Sequence, residues 1–176
     1  MATKDTFERT EAMMGMTPEI WARHANPWSG WTRLTILPLF ALAVWSRVWL
    51  GWGALVPVVL VLIWTWLNPR IFPRPKRTDN WMSRGVQGEQ IWLRHKTAPE
   101  LSHHLAVVRQ ITLLSAAGAL AYLVGLILLW PGLTLTGLCI ASLGKLWMLD
   151  RMVWVLADVQ HSGTLAHDDA DQDVTG

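Results

Sequence analysis

Two long windows of the chain are almost free of charge. Between Leu34 and Leu67 the only Asp, Glu, Lys, Arg or His is Arg47, and between Gln110 and Gly144 there is none. Apolar runs of about 20 residues are long enough to cross a bilayer as helices. The second window is far too long for one helix and must fold back. Glycine and proline mark reversals between antiparallel helices. "GWG" (Gly51 to Gly53) divides the first window into spans at 34–50 and 53–67. "WPG" (Trp130 to Gly132) separates spans at about 105–129 and 133–157. The pattern predicts an all-α fold, an integral membrane four-helix bundle of two helical hairpins with interfacial amphipathic helices. A polar segment at 1–16 precedes it, a cytoplasmic loop at 68–104 joins the hairpins, and an acidic, disordered tail follows at 161–176. The first pair is short for a ~30 Å hydrocarbon layer, so a re-entrant hairpin stays open there.

The flanks repeat a theme. In "WARHANPWSGWTR" (Trp21 to Arg33), Thr17 and Pro18 start a short helix and Pro27 ends it. Trp21, Trp28 and Trp31 are then interfacial anchors, since amphipathic rings favour the headgroup zone. Asn68-Pro69 ends the second span in the same way. After "RIFPRPKR", a cap at Thr78 or Asp79 opens an amphipathic helix with two further anchors, Trp81 and Trp92. Trp81, Gly85, Gly88 and Trp92 fall on one face of it, where two glycines admit a close neighbour. "IWARH" at Ile20 echoes "IWLRH" at Ile91, an offset of 71 residues that also carries Leu34 onto Leu105. Tandem units of interfacial helix plus hairpin would account for both.

Charge sets the orientation. Only 16% of residues are charged and 52% are hydrophobic, against about 25% charged in an ordinary soluble domain. Lys4, Arg9, Arg23 and Arg33 precede the first span, and Arg70, Arg74, Lys76, Arg77, Arg84, Arg94 and Lys96 lie between the hairpins, while the two opposite turns carry none. Lys/Arg bias in short loops places that side in the cytoplasm. The expectation is a multi-pass protein of the cell membrane with both termini cytoplasmic, its first span acting as its own insertion signal. Arg70, Arg74, Lys76 and Arg77 form a juxtamembrane cluster suited to anionic lipid headgroups, each worth ~1 kcal/mol near such a leaflet. The single cysteine, Cys139, excludes an intrachain disulfide.

Ionisable residues within the spans are costly and are candidate functional residues. Arg47 lies near the outer end of its span and can snorkel. Lys145 falls roughly 18 Å from either end of the fourth span at ~1.5 Å per residue, with Asp150 and Arg151 closer to the cytoplasm. Asp150 and Arg109 lie on antiparallel neighbours, so Asp150 is expected to pair with Arg109 or another cationic group in the cytoplasmic half of the bundle. Arg33, Asp79, Arg84 and Glu89 crowd the same level, with Glu89 capping this polar layer from the loop helix. The histidines offer less. None faces inward to hold a haem, His103 and His104 point in different directions as helix neighbours, and H-E-x-x-H is absent. Gly-rich phosphate loops, a nucleophile elbow and a redox Cys pair are also absent. Neither metal nor cofactor is expected, and no nucleic-acid partner.

The set "HANPWSGWTR", "NPRIFP", "DNWMSRGVQGE" and "KLWMLDRMVW" resembles a family of small prokaryotic multi-pass membrane proteins classed as a domain of unknown function. The likeness covers nearly all the chain except the first fifteen or so residues and the acidic tail. It implies that Asn26, Pro27, Trp28, Asn68, Pro69, Trp81, Arg84, Glu89, Lys145, Trp147, Asp150 and Arg151 are signature positions, and it brings no activity with it. Two functions remain in view. One is a structural or accessory protein of the bilayer, binding anionic lipid, a membrane protein partner or a second copy of itself. The other is a small membrane enzyme or transporter built on Glu89, Lys145, Asp150 and Arg151.

Overall fold

A computed structural model describes residues 17–163, and the predicted polar segment at 1–16 and most of the acidic tail lie outside them. The fold is all-α, with no strand among the described residues. Helix α1 (Pro18–His24) starts at Thr17, whose hydroxyl accepts from the Ile20 amide at 3.3 Å. Helix α2 (Pro27–Arg33) starts at Asn26, which accepts from the Trp28 amide at 2.9 Å. Both have proline at a first-turn position, where its missing N–H costs nothing.

Helices α3 (Ile36–Trp45) and α4 (Arg47–Leu50), a 3-10 turn (Gly51–Ala54) and α5 (Leu55–Ile71) complete a 45-residue apolar stretch, Pro27–Ile71. The stretch doubles back at Gly51, whose φ of 52° is open to glycine. Its base is tied by Asn68, which is fully buried. The Ser29 hydroxyl donates to Asn68 Oδ1 at 3.0 Å, and Asn68 Nδ2 donates to Thr32 Oγ1 at 2.7 Å. Asn68-Pro69 therefore does not end the helix as expected; α5 runs through it to Ile71. The helix runs only two residues past Pro69 before Phe72 turns extended, so the missing N–H removes one ladder bond close to its end.

Helix α6 (Trp81–His95) is capped by Asn80, not by Thr78 or Asp79: Asn80 Oδ1 accepts from the Ser83 amide at 2.9 Å. A 3-10 turn (Pro99–Leu101) leads into α7 (Ser102–Leu128), and α8 (Pro131–Ser162) returns. The reversal rests on Leu129 at φ 52°, with the Trp130 amide donating to the Gly125 carbonyl at 2.9 Å, while Pro131 and Gly132 already belong to α8.

Three stretches are long and apolar enough to cross a membrane: Pro27–Ile71, Pro99–Leu128 and Pro131–Ser162. Their apolar side chains mostly face outward, with 11%, 28% and 22% of the respective apolar windows buried. Such a surface is suited to lipid, since monomers in water rarely expose large contiguous apolar patches. The four arms do not close around one core. Helices α7 and α8 pack tightly on each other, and α6 packs on α8, where a Cβ on Gly88 would stand 1.8 Å from the Met152 carbonyl oxygen. Leu101, Val108, Met152 and Val155 form the main core, while Trp21, Ala25 and Val86 form a second between α1 and α6. The first hairpin meets the second chiefly along its first arm. Tyr122 Oη donates to the Leu37 carbonyl at 2.7 Å, and Arg47 Nη2 donates to the Leu126 and Ile127 carbonyls at 2.8 and 2.7 Å. Arg47 thus caps carbonyls in the last turn of α7, where the helix carries partial negative charge, instead of snorkelling outward.

Candidate functional site

The predicted polar layer separates into pieces. Lys145 Nζ donates to Glu89 Oε1 at 3.3 Å, bridging α8 and α6. Glu89 is the more enclosed partner and Lys145 remains exposed. Arg33, at the end of α2, donates from Nε to the Ser29 carbonyl at 3.1 Å and from Nη1 to the His24 imidazole. Burial, then the nearby Arg33 and Lys145 cations, push the His24 pKa down to about 3. Neutral His24 is therefore an acceptor for Arg33, and no charge is added to the layer.

These groups stand at the mouth of a crevice of about 240 Å³ between the two hairpins. Arg33, Glu89 and Lys145 supply its polar end, and Leu34, Ile36, Leu37, Leu146 and Leu149 supply apolar walls. Glu89 and Lys145 also line a second depression, of about 310 Å³, with Trp92, Thr112 and Ser115. Neither is lined by Asp150 or Arg151.

Asp150 is held differently from the expectation. Its Oδ1 accepts from Trp81 Nε1 at 3.0 Å, and among the described residues it forms no ion pair with Arg109. The two residues share a level across the hairpin, but both are exposed and face away from the α7–α8 contact. Arg151 is partly buried, with Nε lacking a hydrogen-bond partner. Asp79 is exposed, and its hydrogen bond from Arg77 holds its carboxyl below the usual range. Arg84 joins Lys76, Arg77 and Asp79 around a shallow depression.

The basic cluster does not converge either. Arg70 lies over the Trp66 ring at 4.3 Å, Arg74 lines a separate depression with Arg94, and Lys76 and Arg77 stand beside Asp79. Among the expected anchors, Trp28 and Trp31 are exposed, and Trp31 stacks on Trp81 with centroids 6.2 Å apart. Trp21 is not an outward anchor: it is 5% exposed and packs against Val86. Trp92 packs against the main core and meets the His104 ring edge-on.

The expectation that His103 and His104 diverge is also overturned. Both Nε2 atoms lie 2.9 Å from Asp158 Oδ2. They sit in the first turn of α7, and Asp158 on α8 draws both rings to one carboxylate oxygen, so that their centroids stand 4.1 Å apart. The sequence reading missed Asp158, which belongs to no local motif, and gave no role to His24, although it ends "IWARH" and opens "HANPWSGWTR".

Fold and site together define an all-α protein with helices long and apolar enough to cross a membrane and, between two hairpins, a largely apolar crevice with a charged end. The chain belongs to a family of unknown function, DUF6653, whose profile matches residues 6–173. No curated protein and no solved structure matches it.

Proposed function

We propose that the chain is a multi-pass protein of the cell membrane, with cytoplasmic termini and a structural or accessory role, that seats an anionic lipid in the crevice between its hairpins. The observation carrying this reading is the crevice itself, apolar along its walls and cationic at one end. Arg33 and Lys145 against Glu89, with His24 neutral, leave one net positive charge there. Its volume falls below the ~300 Å³ at which small-molecule pockets usually begin. That size suits an acyl-chain segment entering from the bilayer better than an enclosed substrate. Positive-inside bias supports the orientation, and the basic loop residues supply a diffuse attraction to the same leaflet.

The enzyme or transporter reading has less support. Glu89 and Lys145 neutralise each other, Asp150 is occupied by an indole, and the four residues do not share a cavity. Lipid retention in native mass spectrometry separates the sources of binding. Arg33→Gln combined with Lys145→Gln should abolish the tightly held anionic lipid. Neutralising Arg70, Arg74, Lys76 and Arg77 should weaken only the looser, salt-sensitive fraction. Retention of the tight lipid by a folded Arg33/Lys145 variant would overturn the crevice as its seat.

A further inference from the structure

Outside the crevice, one cluster brings metal-ligating atoms together from two helices. His103 and His104 stand at the start of α7 and Asp158 stands near the end of α8. Their donor atoms all lie within 4.8 Å of one another. We propose that His103 Nε2, His104 Nε2 and the Asp158 carboxylate bind a divalent transition-metal ion of the Zn²⁺ class.

The geometry suits such an ion. Zn²⁺ takes imidazole nitrogen at ~2.0–2.1 Å and carboxylate oxygen at ~2.0–2.2 Å, and open sites use three protein ligands with water in the fourth position. The two 2.9 Å separations need to open by only a few tenths of an ångström to admit bonds of ~2.1 Å. The ligand set of two nitrogens and one oxygen favours a first-row transition ion over Ca²⁺ or Mg²⁺, which prefer oxygen throughout. His104 is preorganised: it is 1% exposed, with its ring 4.1 Å from that of His103 and edge-on to Trp92. Asp158 and His103 are partly open to solvent, at 42% and 56% side-chain exposure, leaving a path for the ion and its water.

Two features oppose a cation. Arg151 acts on His104 through space, and the N-terminus of α7 carries a partial positive charge. An exposed helix terminus acts only weakly on a neighbouring charge, little beside the binding energy of a zinc site. The Asp158 charge offsets it further. Because the ligands come from both arms, the ion would clasp the second hairpin at the end opposite its Leu129 turn.

The test uses the full chain in detergent, stripped of metal, then titrated with Zn²⁺ and with Co²⁺ as a visible probe, Mg²⁺ and Ca²⁺ serving as controls. One Zn²⁺ per chain should bind and raise the Tm, and Co²⁺ should develop ligand-field absorption. His103→Ala, at an exposed position, and Asp158→Asn, near-isosteric at a partly exposed one, should retain the metal-free Tm to within a few degrees. Each should weaken Zn²⁺ binding by more than about tenfold, the least a lost ligand should cost when outer-shell losses alone cost ~10–100-fold. Binding and Co²⁺ absorption unchanged in both variants would place the ion elsewhere, and no bound ion in the unmodified chain would leave the triad as hydrogen bonds only. Either result overturns the proposal.

Discussion

His24 shows how a residue becomes part of a site through a contact that its local motif does not specify. It lies at the end of α1, and the fold brings Arg33 onto its ring nine residues later. Burial and two cations hold its pKa near 3, against an ordinary 6.5. Between those values the unfolded chain binds a proton at this position that the folded chain does not. Stability therefore rises with pH across the interval and is lost as pH falls through it. In detergent, the Tm should drop on acidification from pH 6.5 towards 4, and His24→Gln should flatten that part of the profile. Equal acid sensitivity in both proteins would show that His24 is protonated in the folded state. Nothing in "IWARH" announced this, because the cause is a contact made by tertiary packing. Asp150 teaches the complementary lesson. Its level opposite Arg109 was legible from helix rise and the antiparallel hairpin. Its direction round α8 was not, and the Trp81 indole on α6 took the place of the expected guanidinium.

Element by element, the glycine spacing on α6 was the most informative feature of the loop. Trp81, Gly85, Gly88 and Trp92 lie on one face, and that face turns to α8: Gly85 meets Leu149, and Gly88 meets the Met152 backbone. Helices approach this closely only where a side chain is missing. Gly88→Val should push α6 off α8, with an overpacking cost of about 1–3 kcal/mol. At ~2–4 °C per kcal/mol for a chain of this size, the Tm should fall by several degrees. Gly132→Ala is the control, since the atom nearest an added Cβ there is 3.5 Å away, on the Trp130 ring. Equal Tm values for the two variants would mean that the α6–α8 contact is looser than described. The caps were less legible. Thr78, Asp79 and Asn80 are all good cap residues within three positions, and Asn80 is the one whose side chain meets both the amide and the hydroxyl of Ser83. His103, His104 and Asp158 were only partly within reach of the sequence. In a hairpin turning at Leu129 and Trp130, residues nearly equally far from the turn face each other, as Gly125 with Thr134 and Gly118 with Ala141 do. That rule sets Leu156 opposite His103, and Asp158, two residues further along α8, reaches both imidazoles only through the direction of its side chain.

At the scale of the whole molecule, the open matter is how far the first hairpin reaches. Its arms are short. Residues 36–50 rise about 22 Å and the 17 residues of α5 about 25 Å at ~1.5 Å per residue, against a hydrocarbon layer of ~30 Å. Length alone favours a hairpin that stops within the bilayer, and the apolar pattern could not decide the point. The contact made by Arg47 bears on it directly. Its guanidinium binds the Leu126 and Ile127 carbonyls, within one turn of the Leu129 reversal. The Gly51–Ala54 tip lies several residues beyond Arg47, so it stands level with the Leu129 turn of the second hairpin, whose 27- and 32-residue helices are long enough to cross. Local thinning of the bilayer around the shorter arms costs only fractions of a kcal/mol per Å of mismatch, and the 88%-exposed Trp52 at the tip suits the interface. In intact cells, with Cys139 replaced by Ala, a membrane-impermeant thiol reagent should label Trp52→Cys and Gly132→Cys from the same outer face, while a reporter fused after Gly176 reads cytoplasmic. Labelling of Gly132→Cys with protection of Trp52→Cys would make the first hairpin re-entrant, and the crevice between hairpins would then open at one leaflet only.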